Sequence, residues 1–181
     1  STLFVFAAGN DGTDNDEYPT SPANIRARNV ITVAATINYD LLAPFSNFGE
    51  KTVDLAAPGY AIESAVAGDN YLRVSGTSQA APYVAGVAGK MAETNKKLTT
   101  SEIKKILMET VDKKDFLKGK IVSSGVVNSM RAVRAAELSA YNSIEESINM
   151  AKEEISDTPS NKKYYNINHV PVLPLPSLFQ F

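Results

Sequence analysis

Residues 76–86, Gly-Thr-Ser-Gln-Ala-Ala-Pro-Tyr-Val-Ala-Gly, decide how the rest of this 181-residue chain is interpreted. Small and apolar residues recur at helical spacing after Ser78, and the polar residues that a solvent-facing helix needs are scarce. The stretch therefore predicts a helix inside the domain, with Pro82 in its first turn. Ser78 would lie at the helix N-terminus, where free N–H groups and the helix dipole favour a developing negative charge. That environment suits a nucleophile.

The composition is that of an ordinary globular domain with one core. Hydrophobic residues make up 44% of the chain, charged residues 21%, and the formal net charge is −2. The chain has no surplus of basic residues that would indicate nucleic-acid binding, and it has no apolar run long enough to span a membrane. The chain contains no cysteine, which excludes a disulfide framework and a thiolate metal site.

Several segments before the serine helix predict strands. The apolar run at residues 3–8 ends in Gly9-Asn10 and is typical of a strand buried in a parallel sheet. Residues 29–36 are rich in β-branched side chains and predict the clearest strand. Residues 61–66 and 71–75 predict a hairpin that leads into the serine helix.

Helical patterns dominate the second half of the chain. Thr99 with Glu102 forms a capping-box pattern, followed by an amphipathic helix to about Thr110. A second, Ala-rich helix is predicted from Ser129 to about Ala140, and helical spacing continues through residues 141–157. Four prolines then exclude a regular helix in residues 158–181, although this segment is too apolar for a simple disordered tail.

These motifs resemble the subtilisin-like serine proteases, or subtilases. Gly-Thr-Ser followed by Ala-Ala-Pro and Val-Ala-Gly resembles their nucleophile motif, with Gln79 in place of the usual methionine and Tyr83 in place of the usual histidine. Ala-Ala-Gly-Asn at residues 7–10 resembles the segment that carries their oxyanion-hole asparagine. Residues 44–49, 53–59 and 125–128 resemble three further landmarks, so that the likeness covers about residues 3–138.

The resemblance implies an α/β fold of three layers, a mostly parallel sheet with helices on both faces. Only its C-terminal portion is expected in this chain, since the sequence holds few strands and so leaves a sheet edge and an apolar face uncovered. We expect residues 1–140 to be the C-terminal part of a subtilase catalytic domain and residues 141–157 a helical extension. Residues 158–181 would be a Pro-rich apolar tail, packed on the domain or on a partner chain.

The resemblance also implies the site. Ser78 would be the nucleophile, and the Asn10 side chain would donate to the oxyanion, as an amide N–H is able to do. By itself Asn10 is equally typical of a turn that closes a strand. The residues expected to bind substrate are Ala7, Ala8, Gly9, Glu17 and Thr77.

Glu17 is the candidate for the floor of the pocket that holds the substrate residue before the cleaved bond, with Asp16 as the next choice. A carboxylate there would attract lysine or arginine. The alternatives are a solvated acidic loop, and a cation site that uses Asp14 and Asp16.

The catalytic base is missing from the motifs. The chain has one histidine, His169 in the Pro-rich tail, and the stretch around Ser78 lacks the second glycine of an α/β-hydrolase nucleophile elbow. Subtilases carry their Asp and His upstream of the oxyanion asparagine, and neither the Asp-x-Gly nor the His-Gly-Thr segment occurs here. We therefore expect a serine endopeptidase whose Asp and His lie on a separate or absent N-terminal segment of the same precursor. The alternative is a non-catalytic subtilase-like module for binding or assembly.

The remaining expectations concern ligands and location. The partners would be that N-terminal segment and a peptide or protein substrate, with no nucleic acid and no membrane span. Serine chemistry requires no cofactor, a structural calcium is compatible with the family, and no metal ligands are identifiable. Secretion or a cell-surface location follows from the resemblance alone.

Overall fold

A mostly parallel sheet and four α-helices make up residues 2–159, which are the residues that the computed structural model describes. The strands are β1 (Phe4–Ala7), β2 (Val30–Ile37), β3 (Leu41–Leu42), β4 (Leu55–Pro58), β5 (Ile62–Val66), β6 (Asn70–Val74), β7 (Asp112–Lys113) and β8 (Gly125–Val126). The helices are α1 (Thr77–Thr94), α2 (Thr100–Glu109), α3 (Ser129–Leu138) and α4 (Ile144–Glu154), with a 3₁₀ turn, η1, at Asp115–Leu117.

The main sheet has the strand order β1-β2-β4-β8-β7, and β3 pairs with the end of β2. β1, β2, β4 and β8 run parallel to one another, whereas β3 and β7 are antiparallel to their neighbours. Val33 of β2 lies opposite Ala7 on one side and opposite Leu55 on the other. Because β2 is covered on both faces, its sequence is a nearly continuous apolar run rather than an alternating one.

Alternate side chains of β2 enter different cores. Ile31 and Val33 pack with Val84 of α1 and with the other helices, whereas Ala34 packs with Leu117 on the opposite face. The predicted mostly parallel α/β sheet with helices is confirmed. Within residues 2–159 the four α-helices lie on the first face, and η1 with its loops covers the second.

Helix α1 is buried on one side only, which corrects the expectation of burial all round. The side that faces the sheet carries Val84 and Met91, both fully buried, whereas Ala85, Gly86 and Gly89 are exposed. Because the residues on both sides of the helix are small, the sequence does not show which side is covered. Nothing within residues 2–159 covers the side that carries Ala85, Gly86 and Gly89.

Pro82 is the sixth residue of α1 and lies in its second turn, so its predicted place in the first turn is wrong. A proline at this depth lacks the N–H that would otherwise bond to the Ser78 carbonyl four residues earlier.

The predicted capping box of α2 is present, and the structure shows a cap on α3 as well. The Thr99 hydroxyl accepts a hydrogen bond from the Glu102 N–H, and the Glu102 carboxylate accepts one from the Thr99 N–H, as a capping box requires. The Asn128 side chain accepts from the Arg131 N–H at 2.9 Å and begins α3.

Arg131 of α3 holds the end of the described chain. Its buried guanidinium lies 3.2 Å from the fully buried Asp112 carboxylate and donates to the Ile155 carbonyl and to the Asp157 carboxylate. The hydrogen bond from Arg131 lowers the pKa of Asp157 below its ordinary value. Five donors in a rigid fork suit arginine to such a junction.

The predicted helical extension, residues 141–157, contains α4, which packs against α3 and buries Ile148 and Ala151. The predicted tail lies outside the described residues from Ser160 onward, and His169 lies there as well. None of the helices in residues 2–159 combines the length and the apolar character needed to cross a lipid bilayer.

Candidate active site

Ser78 occupies the second position of α1, and its side chain is exposed. Within residues 2–159 neither its hydroxyl nor its backbone N–H makes a hydrogen bond. The first N–H groups of a helix have no intrahelical acceptor, and the positive end of the helix dipole lies beside them. Ser78 therefore has an accessible hydroxyl in an environment that stabilises negative charge.

Asn10 lies three residues after β1 and reaches the start of α1. Its side-chain oxygen accepts from the Thr77 N–H at 2.8 Å and from the Thr77 hydroxyl at 2.9 Å. A backbone N–H can only donate, so the atom that it meets must be the amide oxygen. The Asn10 amide nitrogen makes no hydrogen bond within residues 2–159, and its N–H groups remain available to a ligand.

The Asn10 amide nitrogen and the Ser78 backbone nitrogen both lie near the position that a side chain of Gly76 would occupy. A β-carbon placed on Gly76 would lie 2.9 Å from the Gln79 side-chain oxygen, 3.4 Å from the Asn10 amide nitrogen and 3.6 Å from the Ser78 nitrogen. The backbone of Gly76 is extended, with φ 162°, a conformation that other residues also adopt. The missing side chain, rather than an unusual turn, is therefore the structural reason for glycine at this position.

Gly9 connects the turn after β1 to the start of α1. Its N–H donates to the Thr77 hydroxyl at 3.2 Å, and its φ of 115° lies in the region that favours glycine. A β-carbon here would lie 2.4 Å from the side-chain nitrogen of Asn47, a second reason why only glycine fits.

Ala7 and Ala8 differ in their surroundings. Ala7, the last residue of β1, is half-buried, whereas Ala8 is fully buried. The Ala8 N–H donates to the Val33 carbonyl, and the Ala8 carbonyl accepts from the Asn15 side chain. Both backbone groups of Ala8 have partners within the domain, which positions the Gly9-Asn10 turn, and the role of Ala8 in substrate binding stays a prediction.

Two asparagines that sequence reasoning missed hold this turn. The Asn47 side-chain oxygen accepts from the Asp11 N–H at 2.8 Å, and its nitrogen donates to the Asn15 side-chain oxygen at 3.0 Å. Both asparagines are fully buried. Their flanking residues are those of ordinary polar turns, so only the Phe-Ser-Asn landmark that contains Asn47 was a signal.

The acidic candidates have separate environments. The Asp16 carboxylate accepts from the Lys51 N–H at 2.9 Å and from the Thr52 hydroxyl at 2.5 Å, which ties two loops together. The Glu17 side chain is exposed and makes no hydrogen bond or ion pair within residues 2–159. Of these two carboxylates, Glu17 is the one left free to meet a ligand.

No group of three or more His, Cys, Asp or Glu side chains in residues 2–159 is placed to hold a metal ion. The Asp14 carboxylate accepts a hydrogen bond from the Asp16 N–H at 2.9 Å, which is a local contact within the turn. This pair gives no support to the alternative of a cation site. The structural calcium that the resemblance allows stays a prediction, because calcium also takes backbone and amide oxygens as ligands.

Tyr83 stands on α1 where a subtilase motif usually has histidine. Its hydroxyl lies 3.4 Å from that of Tyr39. Burial, and then this neighbouring hydroxyl, raise the pKa of Tyr39 far above its ordinary value. Tyr39 is therefore neutral at physiological pH and does not act as a base.

Residues 1–154 match the Subtilase family, peptidase S8. The chain belongs to the subtilase family. It is 39% identical over 132 residues to a thermophilic serine proteinase of Bacillus sp. (strain AK1), covering 73% of this chain and 31% of that protein. It is 38% identical over 133 residues to thermitase of Thermoactinomyces vulgaris, covering 74% of this chain and 44% of thermitase. The family and its serine-protease character follow from these matches.

Solved structures of the family show the same architecture. A structure of subtilase cytotoxin SubAB assembly aligns with a TM-score of 0.69 and 30% identity, covering 77% of this chain and 50% of that chain. A cold-adapted subtilisin-like serine proteinase aligns with a TM-score of 0.58 and 36% identity. The alignment covers 67% of this chain and 45% of that proteinase. This chain thus spans half or less of each of these relatives.

Proposed function

We propose that this subtilase chain provides the nucleophile and the oxyanion hole of a serine endopeptidase that cleaves peptide bonds through an acyl-enzyme. The supporting observation is the hydrogen-bonded cluster of Asn10 with Thr77, which orients the free Asn10 amide beside Ser78. The two residues are far apart in sequence, and a turn that merely closed β1 would not need this orientation.

The chemistry follows from the atoms in the cluster. The Ser78 hydroxyl attacks the substrate carbonyl, forms an ester with the acyl group and releases the amine, and water then hydrolyses the ester. At each tetrahedral stage the carbonyl oxygen becomes negative. Effective donors lie about 2.7–3.1 Å from that oxygen. The two candidate donors beside Gly76 are the Asn10 amide and the Ser78 N–H, and the Gln79 side-chain oxygen, an acceptor that also lies there, would have to turn away from the oxyanion.

The base that takes the Ser78 proton, and the carboxylate that orients it, are proposed to come from an upstream segment of the same precursor. The relatives that match are longer than this chain, which covers 31% and 44% of the two named above. In addition, β1 pairs on one side only within residues 2–159. A groove of about 330 Å³ lies beside it, lined by Leu3, Val5 and Gly89 among others, where such a segment would fit.

A fluorophosphonate probe, which phosphonylates activated serines with loss of fluoride, tests the proposal on the chain together with its upstream segment. We expect labelling of the native protein and none of the Ser78→Ala variant. Ser64→Ala, which removes a half-buried serine of the β5–β6 hairpin, is the matched control and should label normally. A folded complex whose Ser78 stays unlabelled would contradict the enzyme and favour the non-catalytic binding or assembly module.

We also propose that Glu17 selects lysine or arginine before the cleaved bond, because its exposed carboxylate has no partner within residues 2–159. Glu17→Gln should lower kcat/KM about tenfold for peptides with a basic residue there, the effect of losing about 1.4 kcal/mol of charge-assisted binding. Peptides with an apolar residue should be unaffected. Asp11→Asn removes the same charge from the same loop and is the control; an equal loss in both variants would reject the pocket role.

The location is proposed from the relatives alone. One relative, 40% identical over 116 residues, is named a cell wall-associated protease of Bacillus subtilis (strain 168), and another, 38% identical over 144 residues, an extracellular basic protease of Dichelobacter nodosus. We infer secretion or a cell-surface location for this protein, and no cofactor in its chemistry.

A further inference from the structure

An apolar groove of about 710 Å³ runs between α1 and α3. Its apolar and small lining residues are Tyr83, Gly86, Val87, Met130, Val133 and Ile155. Charged side chains, Lys90 and Arg134 among them, also line it. An open groove of this kind on a folded chain marks a binding surface.

The floor of the groove is exposed in residues 2–159. Met130 on α3 is 70% exposed and Tyr83 on α1 is 38% exposed. A β-carbon on Gly86 would meet no atom within 4 Å. The space above α1 is therefore open, and apolar side chains on both helices lack a partner there.

The described chain ends beside this groove. Ile155, which lines it, accepts two hydrogen bonds from Arg131. The Ser156 carbonyl then accepts from the Asn128 side chain at 3.3 Å, and the Thr158 N–H donates to Asp112 at 2.9 Å. Asn128 caps α3, so residues 156–158 lie at the end of α3 that contributes Met130 to the groove.

The sequence beyond this point matches the groove in chemistry. Residues 170–181, Val-Pro-Val-Leu-Pro-Leu-Pro-Ser-Leu-Phe-Gln-Phe, contain no charged side chain. Three prolines prevent this segment from forming a regular helix, and Pro-rich segments with apolar side chains dock into grooves that contain aromatic residues.

The connection is long enough. The eleven residues 159–169 can span up to about 36 Å when extended, whereas the ten residues of α3 extend over about 15 Å. Every point of the groove is therefore within reach of the tail of the same chain.

We propose that residues 170–181 dock into this groove and cover the exposed side of α1 next to α3. The helix that carries Ser78 would then be covered by a later segment of its own chain. The groove on the opposite side of α1 has Leu3 and Val5 of the chain's beginning in its wall, and the one beside α3 has Ile155 in its wall. The continuity of Ile155 with the tail favours the tail over any other occupant.

Disulfide trapping tests this directly, because the chain has no cysteine of its own. Met130→Cys, at an exposed groove position, is combined with Leu175→Cys in the full chain, and with Val172→Cys or Leu178→Cys to sample the register. The matched control combines the same tail cysteines with Met150→Cys on α4, which is 37% exposed and does not line the groove. The rate of disulfide formation measures the effective concentration of the two thiols.

We expect a disulfide within one chain to form at least about tenfold faster with Met130→Cys than with Met150→Cys, for one tail position or more. Equal rates, or no disulfide, would overturn the proposal. A disulfide between two chains, detected by the doubled mass on a non-reducing gel, would also overturn it and assign the groove to the tail of a second copy.

A competing side chain provides an independent measurement. Gly86→Leu should fill the groove and slow the trapping, whereas Gly89→Leu, at an equally open position on the other side of α1, should not. Equal trapping in the two variants would contradict docking of the tail in the groove.

Discussion

At the scale of single residues, the site depends on hydrogen bonds that join the turn after β1 to the start of α1. Thr77 illustrates this: its side chain is fully buried, donates to Asn10 and accepts from the Gly9 N–H. One hydroxyl thus fixes both the turn after β1 and the amide that would face the oxyanion. We interpret Thr77 as a positioning residue and not as a group that touches the reacting atoms.

Thr77→Val should therefore lower kcat with little change in KM when the chain is assayed with its upstream segment. Valine keeps the shape and the backbone N–H but removes the hydroxyl and both of its hydrogen bonds. A loss of about 1.4 kcal/mol of transition-state stabilisation corresponds to about tenfold in rate. An interaction that matters only in the transition state changes kcat and leaves KM unchanged.

The conservative variant Thr77→Ser distinguishes positioning from packing. It keeps the hydroxyl and should retain nearly full kcat. If Thr77→Ser loses as much activity as Thr77→Val, then the methyl group rather than the hydroxyl is what matters, and the positioning role is wrong.

At the scale of elements, the position of α3 depends on a buried charge. Arg131 is almost fully buried and connects α3 to the end of α2, through the Thr110 and Val111 carbonyls, and to the segment that follows α4. Removing one partner of such a pair leaves the other charge buried without compensation. Arg134, one turn further along α3, pairs instead with Glu137 and Glu154 at the surface.

Arg131→Met should lower the free energy of unfolding by about 3–5 kcal/mol, since it leaves the Asp112 carboxylate buried and unpaired. Arg134→Met, on the same helix, should have a much smaller effect because water solvates the partners that remain. Urea unfolding of both variants checks this. Similar losses in the two would mean that the Arg131 cluster contributes no more than a surface ion pair.

At the scale of the whole molecule, the described chain contains a buried sheet and an exposed hairpin next to one candidate site. Every residue of β2 is buried, whereas most residues of β5 and β6 are exposed, including Tyr71 and Leu72. Local opening is easiest where few apolar groups are buried. Flexibility is thus expected in the hairpin that leads directly into α1.

Backbone amides of β5 and β6 should exchange with deuterium at least about a hundredfold faster than those of β2, because only β2 requires global unfolding to open. Mass-spectrometric hydrogen exchange at fixed pH and temperature measures this, with β4, another buried strand of the main sheet, as the control. Protection of the hairpin equal to that of β2 would contradict the expectation and would indicate that another part of the protein covers it.

The sequence by itself determined the elements and the family. A continuous apolar run predicts β2, spacing and a capping box predict α2, an Ala-rich segment predicts α3, and the Gly-Thr-Ser motif predicts a serine at the start of a helix. These features depend on neighbours within a few residues, which a sequence displays directly.

Only the tertiary structure decided which residues meet. It showed that Asn10 bonds to Thr77, that Asn15 and Asn47 are buried partners, that Arg131 is buried and that α1 has an open side. A buried asparagine or arginine has the same local sequence as an exposed one, because its burial depends on partners that the fold brings from distant positions. An all-small helix likewise gives no periodic signal of which side is covered.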